Sequence, residues 1–241
     1  MKIASFNSFI SLRSMLDLRL MSQIQRVLVE ELNGITHHYA QQLSTRLGRS
    51  RYKEQFLFLY RDDVVDLIDC YQYKDDQVDD VDAFKREPYI LYFKTHNTGQ
   101  SLPLLKIMNV MILGDFRADG WYLSSKEREE IHIRSDKNSY WLIGDNVDTR
   151  AKTSDHHAYD RIVVYGEDML AAIVPNSAKP FNFHKEVSDH YPVEVELLFP
   201  FGIFDYNPSD SPVLKIGLSL FTCTVSQLSY QALQSAFVQC C

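Results

Sequence analysis

The chain has 241 residues, 45% hydrophobic and 24% charged, a balance that excludes disordered, collagen-like and coiled-coil classes. That length can bury a sizeable core in one large domain or two small ones. With 25 Lys+Arg against 32 Asp+Glu the formal charge is −7, so no overall basic field advertises a polyanionic partner. The charge is uneven: residues 1–60 hold eight basic and four acidic groups, and 61–90 hold four basic and ten acidic. The acidic run at 75–82 reads as a solvated loop. Cys70, Cys223, Cys240 and Cys241 are too few and too scattered for a disulfide scaffold or a zinc cluster. The opening MKIASFN lacks the apolar core of a signal peptide, and no stretch reaches the ~18 uninterrupted apolar residues of a spanning helix. An intracellular setting, cytoplasm or nucleus, is the expectation.

Residues 2–7 read as a short strand. Leu16, Leu20, Ile24, Val27, Leu28 and Leu32 then recur at helical spacing, and Asn33-Gly34 supplies a stop. From Phe56 the pattern changes: 56–60, 64–71 and 89–93 are rich in β-branched and aromatic residues. Strand-like runs continue at 110–113, 131–133, 161–165 and 191–198. One strong helix with at least six strands predicts an α/β or α+β class with mostly antiparallel sheets. Residues 200–212 read as a linker by composition.

Three segments set an acid or a histidine at a strand end. MILGDFRADG (111–120) ends its apolar run in Gly114-Asp115, HAYDRIVVYG (157–166) places Asp160 before Ile162, and SDHYPVEVEL (188–197) places Asp189-His190 before a strand. One sheet rim can gather all four groups. A carboxylate that orients an imidazole makes a general acid or base near neutral pH. The remaining carboxylates suit an oxygen-loving divalent cation such as Mg²⁺. Metal-assisted hydrolysis of a phosphate ester fits that inventory.

These segments also carry a resemblance. KIASFN (2–7), LGRSRYKEQFLFLYR (47–61), DAFKREPYI (82–90), MILGDFRADG (111–120), WLIGDNVDT (141–149), HAYDRIVV (157–164), AKPFNF (178–183) and SDHYPVEVEL (188–197) resemble, in order, the deoxyribonuclease I family of the endonuclease/exonuclease/phosphatase superfamily. Trp121 and His157 stand where secreted members carry paired cysteines, so the likeness is to members without disulfides. The resemblance spans 1–198 and implies a four-layer α/β sandwich, two packed sheets flanked by helices. It implies that Asn7 helps set the metal and phosphate, and that Glu54 orients a catalytic histidine. It implies that Tyr52 lies against the DNA minor groove, with Arg51 also on DNA. Asp115 would act at the scissile phosphate, Asp160 would orient the general acid/base His190, and Asp189 would bind the cation. Asp148 and Thr149 would sit in a calcium loop. Mg²⁺ or Mn²⁺ with Ca²⁺ are the implied cofactors, double-stranded DNA the implied substrate, and a monomer the implied state.

Departures qualify the match. The family's Gln-Glu-Val-Arg-Asp motif, with a principal metal-ligand glutamate, has no counterpart, nor does the Pro-Leu-His-Thr motif with the first catalytic histidine. His96 lies near that gap in an unmatched context, so Glu54 has no evident partner. Arg117 replaces a family Asn; a guanidinium cannot coordinate a cation but can contact phosphate. A divalent-metal-dependent endonuclease with impaired activity is therefore expected. The other reading is a catalytically dead DNA- or protein-binding remnant, with actin as the family's protein partner. Residues 199–241 have no family counterpart and read as a linker and C-terminal tail of unknown role, expected to pack poorly against the domain after about Pro200 and to add nothing to the site.

Overall fold

The computed structural model describes residues 2–5, 26, 30, 33, 38–48, 55–74, 86–95, 109–122, 124–151, 156–181, 189–198 and 213–218. Asn7, Arg51, Tyr52, Glu54, His96 and the acidic run at 75–82 lie outside them, as does the helix expected over 16–32 apart from Arg26 and Glu30.

Three sheets organise the described residues. The largest has six strands: β4 (Val65–Gln72), β5 (Tyr89–Thr95), β6 (Asn109–Asp115), β7 (Ser139–Trp141), β8 (Asp160–Tyr165) and β11 (Val213–Leu218), ordered β4-β5-β11-β6-β8-β7. A second joins β1 (Lys2–Ser5), β10 (Val193–Glu196) and β9 (Lys179–Pro180), and β2 (Tyr39–Leu43) with β3 (Leu57–Arg61) forms a hairpin. All pairs among the described strands are antiparallel except β11 with β6. The mostly antiparallel class expected from the sequence is the class observed.

Alternation along the central strands builds two cores. Ile90, Tyr92, Val110, Ile112 and Val163 point to one face, covered by Phe116, Ile131 and Ile133. Leu91, Phe93, Met111, Leu113, Ile162 and Val164 point to the other, against Phe56 and Phe58 of the hairpin side and Val193 and Val195 of β10. A strand buried on both faces must read as a continuous apolar run, which is why MIL and IVV do. Among the described residues no helix is long and apolar enough to cross a membrane.

Two local readings are corrected. Residues 131–133, expected as strand, lead into a short helix, α2 (His132–Ser135), with Ile131 at its N-cap. Apolar side chains two apart imitate a strand, but Ile131 and Ile133 are buried by the helical turn at 1% and 7% exposure. The preceding helix α1 (Ser125–Glu130) opens on a capping box: Glu127 N–H donates to Ser124 Oγ at 3.2 Å, and Ser124 N–H donates to Glu127 Oε2 at 2.9 Å. Ser-x-x-Glu was the available signal. The third described helix, α3 (Glu167–Ala171), buries Met169 behind β8.

The second correction is larger. The segment after residue 198 does not stay apart from the domain, because β11 occupies the middle of the six-stranded sheet. It runs antiparallel to β5, from Val213 opposite Lys94 to Leu218 opposite Tyr89, and parallel to β6, from Leu214 opposite Asn109 to Leu218 opposite Leu113. β4 and β8 cover the outer edges of β5 and β6, so each inner edge needs a partner for its N–H and C=O groups. β11 supplies it. Truncation after Leu198 should therefore leave two buried edges open: the shortened chain is expected to lose its cooperative thermal transition and to aggregate, as is Ile216→Pro in the full chain. A truncated chain that melts like the full one, by circular dichroism and light scattering, would show that β11 is dispensable.

Candidate active site

The site grows from the register of β6 against β8. Antiparallel pairing sets Asp115, last of β6, opposite Asp160, first of β8. Both are inside, at 2% and 0% exposure. Thr149 ties the loop behind them: its buried hydroxyl donates to the His157 carbonyl at 3.1 Å and accepts the amides of Tyr159 and Asp160 at 3.0 and 3.1 Å. The residue after Thr149 then pairs with the segment before β10. Ala151 N–H donates to the Asp189 carbonyl at 2.8 Å and Tyr191 N–H to that of Thr149 at 2.8 Å, which brings Arg150 and His190 together.

His190, 4% exposed, places Nδ1 2.6 Å from Asp160 Oδ2. Its other nitrogen, Nε2, lies 2.5 Å from Arg150 Nη1. A guanidinium only donates, so in the neutral imidazole Nε2 accepts from Arg150 and Nδ1 carries the proton donated to Asp160. The same Arg150 reaches Asp189 Oδ2 through Nη2 at 2.7 Å. Burial, with the neighbouring Asp115 charge adding, pushes Asp160 up to about 6 against the pull of His190. Burial, and more weakly the Arg150 charge, oppose charge on His190, but the bond to Asp160 and the charges of Asp160 and Asp115 outweigh them and raise its pKa. Both shifts hold a proton within the pair. Nε2 is the atom that can exchange one with a substrate, and Arg150 stands on it.

No family model matches the chain. Deoxyribonuclease gamma of Homo sapiens is 35% identical over 219 aligned positions, which take in 73% of this chain and 71% of that protein. Deoxyribonuclease-1 of Bos taurus is 37% identical over 201, covering 67% and 70%. The chain belongs to the deoxyribonuclease I family. Its class is that of the nucleases, hydrolases of phosphodiester bonds. An endonuclease/exonuclease/phosphatase structure from Bacteroides vulgatus, 14% identical, covers 74% of this chain and 81% of its own with a TM-score of 0.44. The 219 positions exceed 73% of 241 residues, so the alignment opens gaps in this chain, in keeping with the missing family motifs.

A divalent cation, implied by the family, does not fit the described residues. Asp115 Oδ2 is taken by Arg117 Nε at 3.2 Å and Oδ1 by the Arg117 amide at 3.1 Å, while Asp189 is held by Arg150. Among the described residues there is no group of three or more His, Cys, Asp or Glu able to hold a metal ion. The expected calcium loop is likewise engaged. Asp148 Oδ1 accepts the Arg150 amide at 2.8 Å and Oδ2 meets His156 Nδ1 at 2.6 Å, and Thr149 Oγ1 makes the bonds already described.

The turn after Asp115 carries backbone strain. Arg117 has φ 45, a left-handed conformation that favours Gly or Asn over a long side chain. Gly120, at φ 61, could take no Cβ, which would stand 2.7 Å from His157 Cε1. Asp119 fastens this turn to its surroundings: it binds Arg128 Nη2 at 2.6 Å, accepts the Ala158 amide at 3.2 Å, and lies 3.4 Å from His157 Nδ1. Beyond the turn, Tyr122 is half exposed and packs edge-on against Tyr159, ring centroids 5.6 Å apart.

Their positions at strand ends drew attention to Asp115, Asp160, Asp189 and His190, and the structure places all four at one rim. Arg150, Asp119, Tyr122 and Tyr159 were missed. Arg150 lies just past the matched stretch 141–149, and nothing in DTRAK marks its direction; only the pairing of 149–151 with 189–191 turns it onto His190.

Two outcomes follow for the turn. Arg117→Asn relieves left-handed strain of about 1 kcal/mol but strips the guanidinium from the buried Asp115 carboxylate, a larger loss, so the melting temperature should fall in a scanning calorimeter; a rise would show that strain outweighs the ion pair. For Asp119, burial raises the pKa, but amide bonds from Gly120 and Ala158, Arg128 and His157 lower it overall. A depressed folded-state pKa stabilises above the ordinary carboxylate range and is lost as pH falls through it. Asp119→Asn should thus destabilise at pH 7 and flatten the acid side of the melting-temperature profile; an unchanged acid limb would count against this anchoring role.

Proposed function

We propose that the chain cleaves phosphodiester bonds of double-stranded DNA with His190 and Asp160 as its proton-transfer pair, at much reduced turnover. The observation that carries this reading is the buried Nδ1–Oδ2 contact of 2.6 Å beside Asp115, in a chain of the deoxyribonuclease I family. Asp160 fixes the imidazole's tautomer and orientation, leaving Nε2 to act as acid or base once Arg150 releases it. Arg117 and Tyr122 line the outer side of the rim, and we assign them to the DNA backbone. Mg²⁺ or Mn²⁺ with Ca²⁺ are the cofactors the family implies; because the described carboxylates are engaged by arginines, no step is assigned to a metal here. Losing one histidine of a two-histidine acid–base system typically slows a reaction ~10²–10⁴-fold, which supports impaired rather than efficient cleavage.

A second reading has its own support. With Arg150 Nη1 2.5 Å from Nε2, the acid–base atom is capped, as suits a fold that binds DNA without cutting it. Conversion of supercoiled plasmid to nicked circles separates the two. Slow nicking that falls to background in His190→Ala supports the hydrolase; nicking equal in both proteins, or absent from both, supports the binding remnant.

A further inference from the structure

Asp189, which family resemblance gives to the divalent cation, and Asp115, which it gives to the scissile phosphate, are each engaged here by a guanidinium group. Arg150 spans Asp189 Oδ2 at 2.7 Å and His190 Nε2 at 2.5 Å, and Arg117 holds Asp115 Oδ2 at 3.2 Å. Both lie on aromatic rings. Arg150 Cζ is 5.5 Å from the Tyr159 centroid, Arg117 Cζ is 5.0 Å from that of Tyr122, and the two rings meet edge to face at 5.6 Å. The tyrosine pair therefore spaces two permanent cations along one wall of the site, with the buried Arg150 at the imidazole and Arg117, 27% exposed, toward solvent. A divalent ion would have to displace a guanidinium from each carboxylate and then remain beside both positive groups. A phosphate oxyanion meets the opposite situation. Its oxygens accept in the planar fork geometry that guanidinium donors present.

We propose that Arg150 and Arg117 replace the divalent cation in this chain and form a metal-independent binding site for a phosphodiester phosphate. The proposal rests on the nuclease reading for its ligand and on guanidinium–carboxylate geometry for its metal independence. A phosphate oxygen that accepts from Arg150 Nη1 takes the place of His190 Nε2, so binding itself uncaps the imidazole.

The test uses the full chain, manganese alone by calorimetry, and a short fluorescein-labelled DNA duplex by anisotropy. Wild type should show no saturable Mn²⁺ binding up to millimolar metal, and should bind the duplex equally, within about twofold, in EDTA and in Mn²⁺. Arg150→Gln should weaken duplex binding in EDTA by about tenfold and gain saturable Mn²⁺ binding. Arg117→Gln, at the exposed position, keeps the test open if Arg150→Gln does not fold: it should weaken binding and lower the slope of log affinity against log salt by about one phosphate contact. Micromolar Mn²⁺ binding by wild type, duplex binding only with metal, or variants that bind in EDTA as wild type does would each overturn the proposal while leaving the nuclease reading intact. No duplex binding with or without metal would overturn both.

Discussion

The pairing of β6 with β8 is the constraint on which the site depends. Because side chains alternate along a strand, a slip of one residue in that register would send Asp115 and Asp160 to opposite faces and exchange the apolar sets that cover the sheet. Met111, Leu113, Ile162 and Val164 on one side, and Val110, Ile112 and Val163 on the other, leave one register in which both cores are filled. The two acids are thus buried together by hydrophobic packing several residues away. That burial raises the proton affinity of Asp160 and makes a partner for it necessary. His190 is that partner, delivered by a separate bridge between 149–151 and 189–191.

A charged arginine fully inside the same sheet has a similar logic. Arg161, next to Asp160, is wholly buried and donates to the Ile143 carbonyl at 2.8 Å and to Asp145 at 2.9 Å. Asp145 also holds Arg134, and Trp141 lies beneath both guanidiniums, 4.8 Å from Arg134 and 5.5 Å from Arg161. The start of β8 is therefore held on one side by Thr149 and on the other by this network. Such a frame keeps the imidazole's partner rigid, which proton transfer requires.

Much of this was legible in the sequence where the signal is local. Strands such as 110–113 and 161–165 announce themselves because burial on both faces demands an unbroken apolar run, and acids at their ends stand out against it. Helix α1 and the 131–133 turn were not legible from periodicity, since two isoleucines two positions apart satisfy a strand and a short capped helix equally. Arg150 escaped for another reason. Its role depends on a bridge to a segment 40 positions away, and a single arginine in a polar loop carries no periodicity. The placement of β11 escaped because the need for it arises only when β5 and β6 are seen to lack a partner on facing edges.

That central strand also bears on how the chain reaches its fold. β11 joins partners more than 100 positions earlier in the sequence, at Leu218 with Leu113 and with Tyr89. Contacts of such separation come late, because a long loop must close before they form. During synthesis the ribosome releases β5 and β6 well before β11 exists, so their facing edges wait open for a strand still to be made. A sheet whose centre is filled last leaves apolar faces and unpaired edges exposed until then, the condition under which chains associate with one another.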